Sequence, residues 1–221
     1  RLARTVLDGE IARIVALGID VRCGQALATR DGFAQLRAEH DAVYLALGAQ
    51  RAKRLAQLDY GRPWLIDGAD YLARSSRGAA PALGRRVLVI GGGSAALDAA
   101  RSARRAGHDV TILALEAQDR LPAQREEVVE ALEEGISLVA SSMLCSATEA
   151  NDGALRLACV RVHFEAGAQR GQFSVTPIAG SEFALVADAL IASIGQDPEL
   201  APLGALDSQG GQETASDPPH A

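Results

Sequence analysis

Aromatic residues make up only 4% of the 221-residue chain, with four Phe, three Tyr and one Trp. Any core must therefore be built mainly from Ala, Leu and Val, and a hydrophobic content of 48% is enough to form one. Cysteine is also scarce. Cys23, Cys145 and Cys159 lie far apart and no C-x-x-C occurs. That removes the sequence case for a redox disulfide, an iron–sulfur cluster or a zinc knuckle, and suits indifferent thiols in a reducing cytoplasm. Basic residues are outnumbered, 22 Lys and Arg against 28 Asp and Glu, giving a net charge of −6. With no basic stripe, nucleic acid is not expected as a partner. No apolar segment approaches the roughly 18–20 residues of a membrane span, and no signal peptide is visible, so no membrane partner is expected either. His40 and His163 stand in no motif that partners a histidine with a catalytic acid or serine, and Ser141-Ser142 lies outside any G-x-S-x-G context. No catalytic side chain and no metal-ligand set is therefore expected. The opening Arg1-Leu2-Ala3-Arg4, without Met, reads as the start of a fragment of a longer protein.

What is present is concentrated in residues 87–113. Residues 87–90 are apolar throughout and predict a buried strand. Gly91-Gly92-Gly93 follows at once. Residues 94–106 then place Ala96, Ala99, Ala100, Ala103 and Ala106 on one helical face, with Asp98, Arg101, Ser102, Arg104 and Arg105 on the other. Gly107 sits where a helix C-terminus belongs, and residues 110–113 predict a second buried strand. Strand, glycine turn, helix and strand within about 30 residues is the opening unit of a dinucleotide-binding sheet. Gly91 permits the tight turn, Gly93 removes a Cβ where a pyrophosphate would approach, and Ala96 is the third small position that lets helix and strand pack closely. The N–H groups at Ser94 and Ala95, aided by the helix dipole, face the phosphates.

The rest of the chain reads as follows. Residues 5–17 predict an amphipathic helix with Leu7, Ile11, Ile14 and Val15 on one face, and 19–21 a short strand. Residues 32–39 predict a helix and 42–47 a buried strand ending in Gly48-Ala49. Residues 50–82 look irregular, with one or two helical turns near 67–72, and read as a link between lobes. After a loop at 116–123, residues 124–134 predict a helix and 136–140 a third parallel strand. Residues 155–164 and 173–186 alternate in polarity and predict antiparallel strands. Residues 187–194 predict a last buried strand ending in Ile194-Gly195, and 201–221 a polar coil. Glu126-Glu127 and Glu133-Glu134 look like a solvated helix face, and Trp64 like a packing residue.

These blocks resemble the small (beta) subunit of glutamate synthase and its relatives, flavin- and pyridine-nucleotide-dependent oxidoreductases with two nested dinucleotide-binding domains. The resemblance rests on Val6-Leu7 through Leu17-Gly18-Ile19, on Asp41 to Ala49, on Val89-Ile90-Gly91-Gly92-Gly93-Ser94-Ala95-Ala96-Leu97-Asp98, on Leu121-Pro122-Ala123 and on Ala187 to Gln196. It implies an α/β protein: a Rossmann-like parallel sheet with an antiparallel β-meander as the nicotinamide-nucleotide domain, plus an incomplete second α/β flavin-type domain. The boundaries it implies are 1–83 for a partial FAD-type domain and linker, 84–195 for the NAD(P)-binding domain, and 196–221 for the return to the FAD-type domain. Gly91, Gly92, Gly93, Ser94 and Ala95 would contact the nicotinamide nucleotide. Gly48 and Ala49 would lie against the flavin, with Ile194 and Gly195 at the crossing back.

Many relatives place two arginines after the second strand to pair with the 2′-phosphate of NADP. This chain has Leu115-Glu116 there. Glu116 lies 25 residues after Gly91, near the ~20 at which an acid accepts from a ribose 2′-OH, which favours NAD(H) over NADP(H). Arg120 and Arg125 remain alternatives for a phosphate. The implied function is hydride transfer from NAD(P)H to FAD held by the full-length protein, with a redox partner subunit or iron–sulfur protein beyond it. The alternative is a nucleotide-binding regulatory or assembly module without redox turnover of its own.

Overall fold

A computed structural model describes residues 3–168 and 172–203. The chain divides into two compact units, one of residues 48–198 and one of 1–47 with 199–221. The polar coil expected at 201–221 lies, beyond Leu203, outside the described residues.

The smaller unit holds α1 (Arg4–Val15) and α2 (Arg30–Glu39). The apolar stripe expected on α1 is present, but Leu7, Ile11 and Ile14 are exposed. Helix α2 begins at Thr29, whose Oγ1 accepts the Gly32 N–H at 3.1 Å, the expected N-cap bond. Its Phe33 is buried, and a short turn at Ala201–Leu203 packs on it. The strands expected at 19–21 and 42–47 do not form, and Tyr44 is 92% exposed. An apolar run supplies strand propensity, but a strand exists only where another backbone accepts its N–H groups. No ladder partner for these runs occurs among the described residues.

The larger unit begins with β1 (Arg51–Ala52), β2 (Leu65–Asp67) and α3 (Gly68–Ser76). It continues with β3 (Arg86–Ile90), α4 (Ser94–Arg105), β4 (Asp109–Leu113), α5 (Arg125–Glu133) and β5 (Ser137–Val139). Strands β6 (Ser142–Glu149), β7 (Leu155–Ala166) and β8 (Phe173–Ala187) follow, then β9 (Ala189–Ala192) and β10 (Gln196–Asp197). Five strands form a parallel sheet in the order β2-β9-β3-β4-β5. Strand β3 is therefore central, and the chain leaves it for β4 on one side while β9 returns on the other. The stretch read from sequence as an irregular link supplies the edge strand β2 and the nine-residue helix α3. Its apolar part, Leu65-Ile66, is too short to stand out until it pairs with β9.

Along β3 the side chains alternate between two cores. Val87 and Val89 pack with Ala96, Ala99, Ala100 and Ala103 of α4, while Leu88 and Ile90 pack with Leu144, Leu155 and Leu157 of the antiparallel sheet. A strand covered on both faces has no solvent side, so all four positions are apolar rather than alternating. The antiparallel sheet, in the order β6-β7-β8, is one strand larger than expected. Strand β6 was missed because its polarity is mixed, with Leu144 buried beside exposed Cys145 and Ser146. The four alanines of α4 are fully buried, which brings its backbone close to the sheet. The helix ends as expected: Gly107 takes φ +98° and the His108 N–H reaches the Ala103 carbonyl at 3.2 Å, a Schellman closure that a Cβ would disfavour.

The amino end of the sheet is tied by Asp188, between β8 and β9. Its Oδ2 accepts the N–H groups of Arg85 at 2.9 Å and Arg86 at 2.7 Å, and its Oδ1 accepts from the Arg86 guanidinium. The Arg86 hydrogen bond, with help from these two N–H groups, holds the Asp188 carboxyl below the usual carboxylate range. Its stabilisation is therefore complete above the unfolded value of about 3.9 and is lost as pH falls through the lower folded value. Asp188→Ala leaves two backbone donors unpaired and should cost about 1–3 kcal/mol. Urea unfolding checks this: the loss should be present at pH 7 and shrink in acid.

Candidate functional site

The carboxyl end of the parallel sheet gathers the segments that follow β2, β3, β4 and β9. Gly91 leaves β3 with φ +132°, and its N–H bonds the Leu113 carbonyl of β4 at 2.9 Å. On the other side, the Ser193 N–H bonds the Ile90 carbonyl at 2.8 Å. A Cβ on Gly91 would stand 2.3 Å from the Ser193 carbonyl oxygen. Gly91 is thus required both by its φ and by the backbone that crosses against it. This is the point where strand order reverses, the place where open α/β sheets bind ligands.

Gly93 is different. Its φ of −86° suits any residue, yet a Cβ there meets nothing within 4 Å. The space beside it is open at the N-terminus of α4. The Gly93 carbonyl accepts the N–H groups of Ala96 and Leu97, so the N–H groups of Ser94 and Ala95, which precede the first intrahelical bond, have no acceptor among the described residues. Ala95 is exposed. This arrangement presents donors and the positive end of the helix dipole to an anion.

Gly92 has another task. A Cβ on it would meet Leu121 Cδ2 at 2.7 Å and Glu116 Oε2 at 2.9 Å, and its carbonyl accepts the Ala123 N–H at 3.1 Å. It lets the 114–123 segment close over the loop. Glu116 is therefore brought beside the glycine turn, half-buried, with its carbonyl held by the Ser141 N–H at 2.9 Å. Arg120 and Arg125 are exposed.

The other sequence-predicted pair meets elsewhere. Gly48 and Ala49 precede β1, Ile194 and Gly195 precede β10, and β1 pairs with β10 in antiparallel register. The Gln50 N–H bonds the Asp197 carbonyl and the Lys53 N–H bonds the Gly195 carbonyl. The segments that these four residues lead into are thus joined by one short ladder, which begins three residues after Ser193. Beside it lies a groove of about 860 Å³ lined by Arg51, Lys53, Arg54, Asp67, Asp70 and Asp197. Its charges largely answer one another, with Lys53 at 3.3 Å from Asp197.

One residue at the glycine turn was not foreseen. Glu127 was expected on a solvated helix face. Instead its Oε2 accepts the Ser94 hydroxyl at 2.6 Å and the Gln124 N–H at 3.1 Å. The signal was available: Gln124 and Glu127 stand at N-cap and N3 of α5, a capping-box spacing. Helix α5 is fixed at its other end by Arg101 and Arg105 on α4, which reach Glu134 at 2.7 and 2.6 Å. Those guanidiniums, Arg105 and then Arg101, hold the Glu134 carboxyl below its usual range.

The three cysteines are free. Cys159 is buried, which pushes its thiol up to about 11 and keeps it protonated at neutral pH. No group of three metal-ligating side chains occurs among the described residues, and no described helix is long and apolar enough to cross a membrane.

Comparison with known proteins identifies the family. The chain is 32% identical over 208 residues to the NADPH-Fe(3+) oxidoreductase subunit beta of Geobacter sulfurreducens (strain DL-1 / KN400), covering 90% of this chain and 30% of that one. It is 27% identical over 219 residues to the glutamate synthase [NADPH] small chain of Azospirillum brasilense, covering 91% and 44%. It is 31% identical over 141 residues to the NAD-dependent dihydropyrimidine dehydrogenase subunit PreT of Escherichia coli (strain K12), covering 63% and 34%. The chain thus spans between about a third and somewhat under half the length of these relatives. The family model for pyridine nucleotide-disulphide oxidoreductases matches residues 10–217, and the chain belongs to the pyridine nucleotide-disulphide oxidoreductase family.

Proposed function

We propose that the unit of residues 48–198 binds a nicotinamide dinucleotide, and that the complete protein passes a hydride from it to FAD. The observation that carries this reading is the open space at Gly93, in front of the unbonded N–H groups of Ser94 and Ala95. A diphosphate fits that cradle, and a side chain would fill it. When bound, the nicotinamide supplies the hydride and FAD accepts it. This chain's residues hold and orient the nucleotide: Gly91 shapes the turn, Gly93 admits the diphosphate, and Ser94 and Ala95 donate to it.

In this reading residues 84–195, together with strand β2 and helix α3, which packs in the same core, form the nicotinamide-nucleotide domain. Residues 1–47 and 196–221 belong to the FAD-type domain, with Gly48, Ala49, Ile194 and Gly195 at the two crossings between them. Relatives named as subunits or small chains of oxidoreductases support a partner subunit for the complete protein.

Glu116 supports NADH over NADPH. Its carboxylate lies beside the loop with no Lys or Arg ion pair among the described residues. There it accepts from a ribose hydroxyl and repels a 2′-phosphate. Nicotinamide fluorescence titrations with NADH and with NADPH test both points. The unmutated chain should bind NADH more tightly. Glu116→Ala should lose one hydrogen bond to NADH and one repulsion toward NADPH, shifting the affinity ratio toward NADPH by about tenfold. An unchanged ratio returns Glu116 to an ordinary loop acid.

A further inference from the structure

We propose that Glu127 is a positioning residue for the phosphate-binding turn, setting the direction of Ser94 through a single carboxylate oxygen at a cost in charge. The inference rests on the reading of Gly91 to Ala95 as the diphosphate site. Glu127 Oε2 takes two hydrogen bonds, one from the Gln124 N–H that starts α5 and one from the Ser94 hydroxyl that starts α4. The N-terminal turns of two helices are therefore joined at one atom. The turn is held on the β9 side by Gly91 against Ser193 and on the α5 side by Glu127.

A serine hydroxyl has one proton to donate. In Ser94 that proton is committed to Glu127, so the hydroxyl does not compete for the phosphate oxygens and only backbone N–H groups face the ligand. The arrangement has an opposing effect. Glu127 and Glu116 both flank the turn, and neither forms an ion pair with Lys or Arg among the described residues. Two carboxylates beside a diphosphate weaken its binding through like charge. Orientation and charge thus act in opposite directions at one residue, and a conservative substitution separates them.

Glu127→Gln keeps an oxygen that accepts both bonds and removes the charge. Glu127→Ala removes both. NADH titrations of the full chain, followed by nicotinamide fluorescence, should give Glu127→Gln an affinity at least equal to that of the unmutated chain. Glu127→Ala should bind about five- to tenfold more weakly than Glu127→Gln, the scale of one lost hydrogen bond. Ser94→Ala combined with Glu127→Ala should lose less than the sum of the single losses, because both remove the same bond. Equal affinities for the Gln and Ala variants, or additive losses in the double variant, overturn the role. An unmutated chain that binds neither NADH nor NADPH overturns the nucleotide reading itself, so the two failures are distinguishable.

Discussion

Gly93→Val is expected to weaken NADH binding by on the order of 100-fold or more while lowering the melting temperature by no more than about 4 °C, the scale of a poorer helix N-cap. The two halves of that expectation come from one observation. Gly93 has extended backbone angles open to any residue, and its Cβ direction meets no atom of the described residues within 4 Å. A side chain there therefore starts in open space and projects into the region assigned to the diphosphate. Calorimetric titration beside a thermal melt reads both quantities on one sample. Unchanged affinity in a folded variant would show that the nucleotide approaches elsewhere. A large drop in melting temperature would show that the space is not open in solution.

Gly91→Ala, two residues earlier, should do the reverse and act on stability first. The added methyl would stand 2.3 Å from the Ser193 carbonyl oxygen, at a φ of +132°. Forced overpacking costs roughly 1–3 kcal/mol and an unfavourable backbone region roughly 1–3 kcal/mol more. Relief requires parting β3 from β9 at the centre of the parallel sheet. Urea denaturation should show a loss of about 2–6 kcal/mol, combining those two contributions. A loss under about 1 kcal/mol would mean the β9 backbone yields easily. Together the two variants distinguish a glycine that exists for the fold from one that exists for a ligand, although both satisfy the same G-x-G-x-x-A pattern.

How much was legible beforehand follows from the range of the interactions involved. The β3–turn–α4–β4 unit was readable because its signals are local: an apolar run, glycines, alanines at helical spacing and Gly107 at the helix end all lie within about 30 residues. Helices α1, α2 and α5 were readable for the same reason. The strands expected at 19–21 and 42–47 failed because pairing depends on a partner remote in sequence. Strand β2 escaped notice because only its contact with β9, more than 120 residues later, makes Leu65–Asp67 a strand. Glu127 looked like a solvated acid because nothing in sequence joins it to Ser94, 33 residues before.

The amino-acid order alone determined the kind of site: three glycines between an apolar strand and an alanine-faced helix admit few other chemistries. Tertiary structure decided how the glycines divide the work. Gly91 is pressed against Ser193, Gly92 against Leu121 and Glu116, and Gly93 against nothing. It also decided which carboxylates flank the turn. The reason is that backbone conformation is set by neighbours along the chain, whereas the space around a missing side chain is set by whatever the fold brings against it.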